Sequence, residues 1–169
     1  NIGLGWLQNE DLKSLDIVDI IFPLSIFEGI HFITADHKLY NLGFGYEVLS
    51  IEDFEGDMTL HPGLNSVAYK IQNGVFSSIK NPDEGKITIG EYDKIDNNPF
   101  NNELITINGT MLNRYSYNDF ALTRSDILIA PPIDHLFVAN GFYYLIETDD
   151  AYSVYFYTDN TSQSELFYN

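Results

Sequence analysis

From Gly29 onwards, apolar and polar residues alternate along the chain with a period of two, the pattern of β-strands that bury one face. The clearest example is the stretch Leu136 to Glu147, in which Asn140-Gly141 separates two runs of β-prone residues. Asn-Gly in this setting is a strong hairpin signal because both residues tolerate the positive φ of a type I′ turn. After Thr148 to Asp150 comes Ala151 to Tyr157, so three consecutive antiparallel strands are predicted.

The turn lengths of this meander decide which side chains share a face. A two-residue turn at Asn140-Gly141 pairs Phe137 with Tyr144. For the next two strands we expect a three-residue turn, because a two-residue turn at Asp149-Asp150 would put Ser153 on the apolar face. The three-residue turn pairs Phe142 with Phe156, Tyr144 with Val154 and Ile146 with Tyr152. The opposite face, which is either covered by a second layer or used for contact, then carries Tyr143, Leu145, Tyr155 and Tyr157.

Residues 1–28 are predicted to form an N-terminal segment, in which Trp6 and Leu7 are the first residues able to anchor the chain. A helix is expected to begin at Asn9-Glu10-Asp11, because Asn is a good N-cap and acidic residues suit the helix dipole. The helix ends before Pro23, and a short helix that passes into a strand fits the β-branched residues equally well. Polar loops are predicted over 52–57 and 96–102. Further strands are predicted over 30–34, 37–40, 45–51, 67–72, 75–79, 86–89, 104–107, 110–112, 127–129 and 166–168.

Four predicted turns follow each other at similar intervals: Asp36-His37, Asn73-Gly74, Asn108-Gly109 and Asn140-Gly141. The separations are 37, 35 and 32 residues. Spacing of this length is typical of repeated supersecondary units, although a true repeat would hold the spacing more constant. The alternative is an ordinary β protein in which an Asn-rich sequence makes many Asn-Gly turns.

The predicted fold is mainly β, with antiparallel hairpins and a meander in a sandwich or barrel, or in propeller-like or trefoil-like repeats, and one short N-terminal helix. A chain of 169 residues fits one domain, with the hairpins over residues 29–169. The segment His31 to Gly45 resembles the strand, turn and strand of propeller blades. Asn140 to Asp150 resembles the aromatic hairpin repeats of cell-wall and toxin carbohydrate binders. Each resemblance covers about one hairpin.

The chain carries 25 acidic residues against 8 Lys plus Arg, a formal net charge of −17. Lys and Arg supply most of the affinity for nucleic acid and for an anionic membrane surface, so neither is an expected partner. Membrane insertion is not expected either, because the most apolar early run, 17–33, is interrupted by Asp19, Pro23 and Glu28. An acidic surface favours solubility, cation binding or a basic partner. There are no cysteines, which predicts a cytoplasmic or virion protein rather than a disulfide-stabilised secreted one.

No metal-binding or catalytic motif is present among the four histidines, which are His31, His37, His61 and His135. Asp36 and Asp134 each precede a histidine, but neighbours on a strand point to opposite faces and cannot orient each other. A calcium ion could gather hard oxygen ligands from Asp93, Asp96 and Glu103, although their spacing is not that of an EF-hand. We therefore expect no catalytic residues, no metal and no cofactor.

These observations predict a non-enzymatic protein-binding or assembly domain, of a kind found in viral, phage or surface structures. The partner is a protein, and homo-oligomers are a further option. The predicted contact residues are Tyr143, Tyr155 and Tyr157, because Tyr is favoured at interfaces. One alternative is an acidic inhibitor or immunity protein that docks onto a basic nuclease or toxin. Another is a carbohydrate-binding module or hydrolase that uses the same three tyrosines as a stacking platform.

Overall fold

The computed structural model describes residues 10–22, 29–43, 47–64, 67–83, 85–148 and 151–168. This part of the chain forms sixteen strands in four separate antiparallel sheets and one helix of four residues. The prediction of a mainly β fold with one short N-terminal helix is confirmed. The anchors proposed at Trp6 and Leu7 lie outside the described residues. The described ranges hold no helix with the length and hydropathy that a membrane crossing requires.

The chain divides into two compact units, Asn1–Gly90 and Glu91–Asn169. In the first unit, helix α1 (Glu10–Lys13) passes after three residues into a strand, the second of the two outcomes that the sequence left open. The strands of its first sheet are β1 (Ile17–Ile21), β2 (Ile30–Thr34), β3 (Lys38–Leu42) and β4 (Val48–Asp53). The strands of its second sheet are β5 (Met58–Pro62), β6 (Ala68–Gln72), β7 (Val75–Ser78) and β8 (Ile87–Thr88). One apolar core joins the two sheets and contains Ile21, Ile33, Leu39, Met58, Leu60, Ala68 and Ile79.

The second unit has the same plan. It also has two sheets, which are the third and fourth of the chain. The third sheet contains β9 (Lys94–Asn98), β10 (Glu103–Asn108), β11 (Met111–Ser116) and β12 (Leu122–Ile127). The fourth sheet contains β13 (Asp134–Val138), β14 (Gly141–Thr148), β15 (Ala151–Thr158) and β16 (Gln163–Tyr168). The core of this unit is richer in aromatic residues and contains Ile105, Ile107, Leu112, Leu128, Phe142, Tyr144, Ile146 and Tyr157. That the two units behave as one domain stays a prediction.

In each sheet the strands are paired in chain order, as in the blades of a β-propeller. Of the architectures that the sequence left open, propeller-like repeats are the one that these four meanders match. Three of the predicted turns occupy the same place, between the second and third strands of their sheets. The fourth, Asn140-Gly141, lies between the first and second strands, so the predicted spacing was wrong there. The repeated unit is a meander of four strands. In the fourth sheet, the turn between the second and third strands lies between Thr148 and Ala151.

Two glycines are required by the backbone around them. Asn73 and Gly74 both have positive φ, 52° and 71°, and form the predicted two-residue turn. Gly141 is required for a different reason, because a Cβ at this position would lie 1.9 Å from the carbonyl oxygen of Tyr157. Gly141 therefore allows β15 to approach β14, and the turn itself consists of Ala139 and Asn140.

Polar strands account for most of the elements that the sequence pattern missed. The predicted loop at Asp96, Asn97 and Asn98 belongs to β9, where Asn98 is buried and Asn97 accepts a hydrogen bond of 2.6 Å from the hydroxyl of Tyr117. Strand β4 extends into the predicted acidic loop as far as Asp53. Strand β12, with the sequence LTRSDI, has too few apolar residues to be recognised by alternation. The last edge strand, predicted over 166–168, is present as β16.

Candidate functional site

The register of the fourth sheet decides which of its aromatic side chains are available for contact. The first hairpin pairs Phe137 with Phe142 instead of Tyr144. This shift of two residues leaves every side chain on its predicted face. The second hairpin pairs Ile146 with Ser153, so its turn has the two residues at 149 and 150 that the sequence analysis rejected. This shift of one residue exchanges the two faces of β15, and the predicted register was wrong.

The consequence falls on the three tyrosines predicted to contact a partner. Tyr157 is fully buried, and its ring stacks on that of Phe142 with centroids 5.1 Å apart. Tyr155 is partly buried against the same core and stacks on Tyr144. Only Tyr143 lies on the opposite face. The three rings therefore do not form one surface, and a carbohydrate platform built from them is wrong because the turn between β14 and β15 is one residue shorter than predicted.

The face that carries Tyr143 is nevertheless strongly apolar. Its rings are in contact, with the Tyr143 centroid 4.8 Å from that of Phe156 and 4.9 Å from that of Phe167. Three of its members, Leu136, Tyr152 and Phe167, are 57% to 66% exposed. We call this surface the aromatic face, which consists of Leu136, Tyr143, Leu145, Tyr152, Val154, Phe156 and Phe167.

The charges of the fourth sheet all have one sign. No Lys or Arg follows Arg124 in the sequence, whereas Asp134, Glu147 and Glu165 are exposed on these strands. Glu147 accepts a hydrogen bond of 3.1 Å from the hydroxyl of Tyr152, which raises the pKa of that tyrosine. These three acids pair with Leu145, Tyr152 and Phe156, so they lie on the same side of the sheet and border the aromatic face.

Two arginines of the third sheet lie over the ring of Tyr157. Arg114 and Arg124 place their guanidinium carbons 5.4 and 5.9 Å from its centroid. Arg124 also donates a hydrogen bond of 2.9 Å to the Tyr157 hydroxyl and pairs with Asp126 at 2.8 Å. Burial raises the pKa of Tyr157, and the nearby carboxylate of Asp126 raises it further. Tyr157 is therefore held neutral as a core residue with a polar tip.

Arg114 is 3% exposed and is surrounded by carboxylates. It pairs with Asp159 at 2.5 Å and with Glu103 at 3.4 Å, while its Nε lies 3.8 Å from Asp126. Asp159 belongs to the turn between β15 and β16, so this ion pair attaches the turn to the third sheet. Arg124 reinforces the attachment by donating to the carbonyl oxygen of Asp159 at 2.6 Å and to the hydroxyl of Ser162. Arg114 is therefore a buried, paired charge that holds the turn between β15 and β16 in place, and it is not exposed to bind a ligand.

The polar residues singled out in the sequence are dispersed. Asp93 accepts a hydrogen bond from the backbone of Gly109 at 2.6 Å, Asp96 lies 3.1 Å from His135, and Glu103 pairs with Arg114. The three carboxylates therefore do not converge on one point, as a calcium site would require. In the described ranges, no group of three His, Asp or Glu side chains is arranged to hold a metal ion.

The histidines are also dispersed. Three of them contact different neighbours: His37 stacks on Phe54, His61 lies edge-on to Phe76, and the side chain of Asn41 is 3.2 Å from His31. His135 differs because it bridges two strands, β13 and β9, through Asp96.

Sequence reasoning missed both arginines. A signal existed, since Arg114 and Arg124 are the only arginines of the chain and stand on neighbouring strands ten residues apart. Their alignment over Tyr157 depends on the packing of one sheet against another, which the alternation of residues along a single strand does not encode.

Comparison with known proteins identifies a fold and no family. No protein-family model and no curated protein matches the chain. An auxiliary nutrient-binding protein from Bacteroides thetaiotaomicron superimposes over 89% of the chain with a TM-score of 0.52 and 14% identity. The tricorn protease superimposes over 88%, also with a TM-score of 0.52, at 10% identity. The chain spans 41% and 17% of the lengths of these two proteins, and the similarity supports the propeller-like fold.

Proposed function

We propose that the chain is a non-enzymatic protein-binding domain and that the aromatic face is its contact surface. The observation that carries this proposal is the exposure of Leu136, Tyr152 and Phe167 on the sheet face where the ring of Tyr143 contacts those of Phe156 and Phe167. Apolar surface that is contiguous and exposed is typical of an interaction site. Aromatic residues are enriched at such sites because they bury a large area with little loss of side-chain freedom.

The charges indicate the kind of partner. The fourth sheet has acidic residues around the aromatic face and no Lys or Arg. A partner that presents an apolar patch with a basic surround is complementary in both respects, whereas a second copy of this chain would bring two acidic surfaces together. The proposed partner is therefore a basic protein, and the idea of an inhibitor or immunity protein is one form of this proposal.

One structural neighbour agrees with a binding role. The protein from Bacteroides thetaiotaomicron is described as an auxiliary nutrient-binding protein, while the other neighbour is a protease. Because one fold supports many activities, the proposal depends on the aromatic face and not on either neighbour.

A capture experiment tests this proposal. The chain is immobilised, incubated with an extract of its native source at low salt and at about 0.5 M salt, and retained proteins are identified by mass spectrometry. We expect a basic protein to be retained at low salt by the wild type and lost with the double variant Tyr152→Lys/Phe167→Lys. Ile127→Lys is the matched control, since Ile127 is an exposed apolar residue on the third sheet. Equal retention by the double variant and the control would overturn the proposal.

A further inference from the structure

The strand at the open edge of the fourth sheet differs from its counterparts. The last strands of the four sheets are β4, β8, β12 and β16. Strand β8 has only two residues, and short edge strands resist pairing with other chains. Strand β4 ends in two acidic residues and β12 carries Arg124 and Asp126. Strand β16 has six residues and a single charge, Glu165.

The side chains of β16 are also the least protected. Leu166, Phe167 and Tyr168 are 55%, 64% and 69% exposed and follow one another at the edge. Strand β16 pairs only with β15 in the described sheet, so every second backbone N–H and C=O of β16 points away from it. An edge of this length with apolar side chains and one charge is a template for an added strand.

The edge is held in place by the buried ion network. Asp159 of the preceding turn is bound by Arg114, and the hydroxyl of Ser162, immediately before β16, accepts a hydrogen bond from Arg124. A preorganised edge loses less conformational entropy on binding than a free one does. The arginine network thus fixes the position of β16 relative to the third sheet.

We infer that the partner contributes an extended segment that adds to β16 as a further strand, with apolar residues alternating with Lys or Arg. This inference rests on the proposed function and specifies how the partner is recognised. Alternate residues of an added strand lie on the side of the aromatic face, beside Glu165 and Phe167. The residues on this side are basic, because Asp134 pairs with Leu145, Glu147 with Tyr152 and Glu165 with Phe156, so that the acids of the sheet lie there. The apolar residues lie on the other side of the added strand, next to the exposed Leu166, which pairs with Tyr155.

A designed peptide probes this edge directly. The probe alternates valine with lysine over ten residues, and a matched peptide alternates valine with glutamate, so that the β propensity is equal and only the charge differs. We expect the lysine peptide to bind about tenfold or more tightly than the glutamate peptide, as measured by calorimetry. Amide hydrogen exchange of residues 163–168 should slow in the complex, because their free N–H groups become bonded.

Two variants complete the test. Phe167→Lys should weaken the binding of the lysine peptide by about tenfold, while Ile127→Lys on the third sheet leaves it unchanged. Equal binding of both peptides, or binding without slower exchange in residues 163–168, would overturn the inference. Pairing of two copies through β16, detected as a dimer by light scattering, would overturn it in favour of self-association.

The two proposals fail in different ways. If the aromatic face is not a contact surface, capture of the native partner is unaffected by Tyr152→Lys/Phe167→Lys. If only the strand addition is wrong, capture is lost in that variant while the exchange of residues 163–168 is unchanged by the partner.

Discussion

The two faces of the fourth sheet are built from the same strands and are both rich in aromatic residues, yet they differ in burial. The inner face places Phe142, Tyr144 and Tyr157 in the core, with the Phe142 centroid 5.7 Å from that of Tyr144 and 5.1 Å from that of Tyr157. On the aromatic face, the centroid of Tyr143 lies 4.8 Å from that of Phe156 and 4.9 Å from that of Phe167, but Phe167 is 64% exposed. Aromatic content therefore does not distinguish a buried face from an exposed one. Burial follows from the register.

Substitution of matched phenylalanines should give the largest difference between the faces. Phe142→Ala removes a ring that is 1% exposed, and we expect it to lower the free energy of unfolding by about 3–5 kcal/mol. Phe156→Ala on the aromatic face should cost roughly 1 kcal/mol, because its ring is only half-buried. Urea unfolding followed by circular dichroism measures both. Equal losses would mean that both faces are covered.

The arginine network should give the next largest effect. Asp159→Asn removes the charge that pairs with buried Arg114, and we expect a loss of about 1.5–3 kcal/mol in the free energy of unfolding. The exposed acid Glu165 offers the control, since Glu165→Gln should change stability by less than about 0.5 kcal/mol. If Asp159→Asn proved as mild as the control, the network would not hold the turn before β16.

Tyr157→Phe tests the polar tip of a core residue. The substitution removes the hydrogen bond from Arg124, and we expect a loss of about 1 kcal/mol near neutral pH. Burial raises the pKa of Tyr157 above the ordinary value of 10.0, so the folded state favours the neutral phenol. The stabilisation that the neutral phenol of Tyr157 gives the folded state is complete below pH 10.0, and it is lost as the pH rises through the folded-state pKa.

The pH dependence is read as the difference between the wild type and Tyr157→Phe. Urea midpoints measured from pH 8 to pH 11 should converge as the pH rises above about 10, because the variant has no phenol to ionise at this position. A difference that stays constant across this range would contradict the assignment of Tyr157 to the buried face.

Phe167→Lys should have the smallest effect on stability and the clearest effect on binding. The exposed position predicts a change of less than about 0.5 kcal/mol in the free energy of unfolding. Loss of the partner at unchanged stability would assign Phe167 to the contact surface. Loss of both together would instead show that its contact with Tyr143 supports the fold.

The elements of the fourth sheet could be predicted from the sequence, because alternation and Asn-Gly identify strands and hairpins. The faces of β13 and β14 could also be predicted, but those of β15 could not, because they depend on the length of the turn between β14 and β15. The observed register of the first hairpin differs from the predicted one by two residues, which leaves the faces unchanged. The register of the second hairpin differs by one residue, which places Tyr155 and Tyr157 on the core side. The preference for an unbroken apolar face was the misleading argument, since Ser153 is itself buried on the inner face.

The arginine network could not be predicted for a different reason. Arg114 lies on a central strand at a buried position, where alternation favours an apolar residue. Its burial is possible only because Asp126 and Asp159 are brought to it, the latter from 45 residues further along the chain. Such compensation becomes visible when the packing of the two sheets is known.

The most direct test of the central claim is amide hydrogen exchange of the chain alone and with its captured partner. If the aromatic face and the edge of β16 bind the partner, exchange slows in residues 163–168 and remains unchanged in β12. Slower exchange confined to the other sheets, with residues 163–168 unaffected, would contradict the account and place the contact surface elsewhere on the molecule.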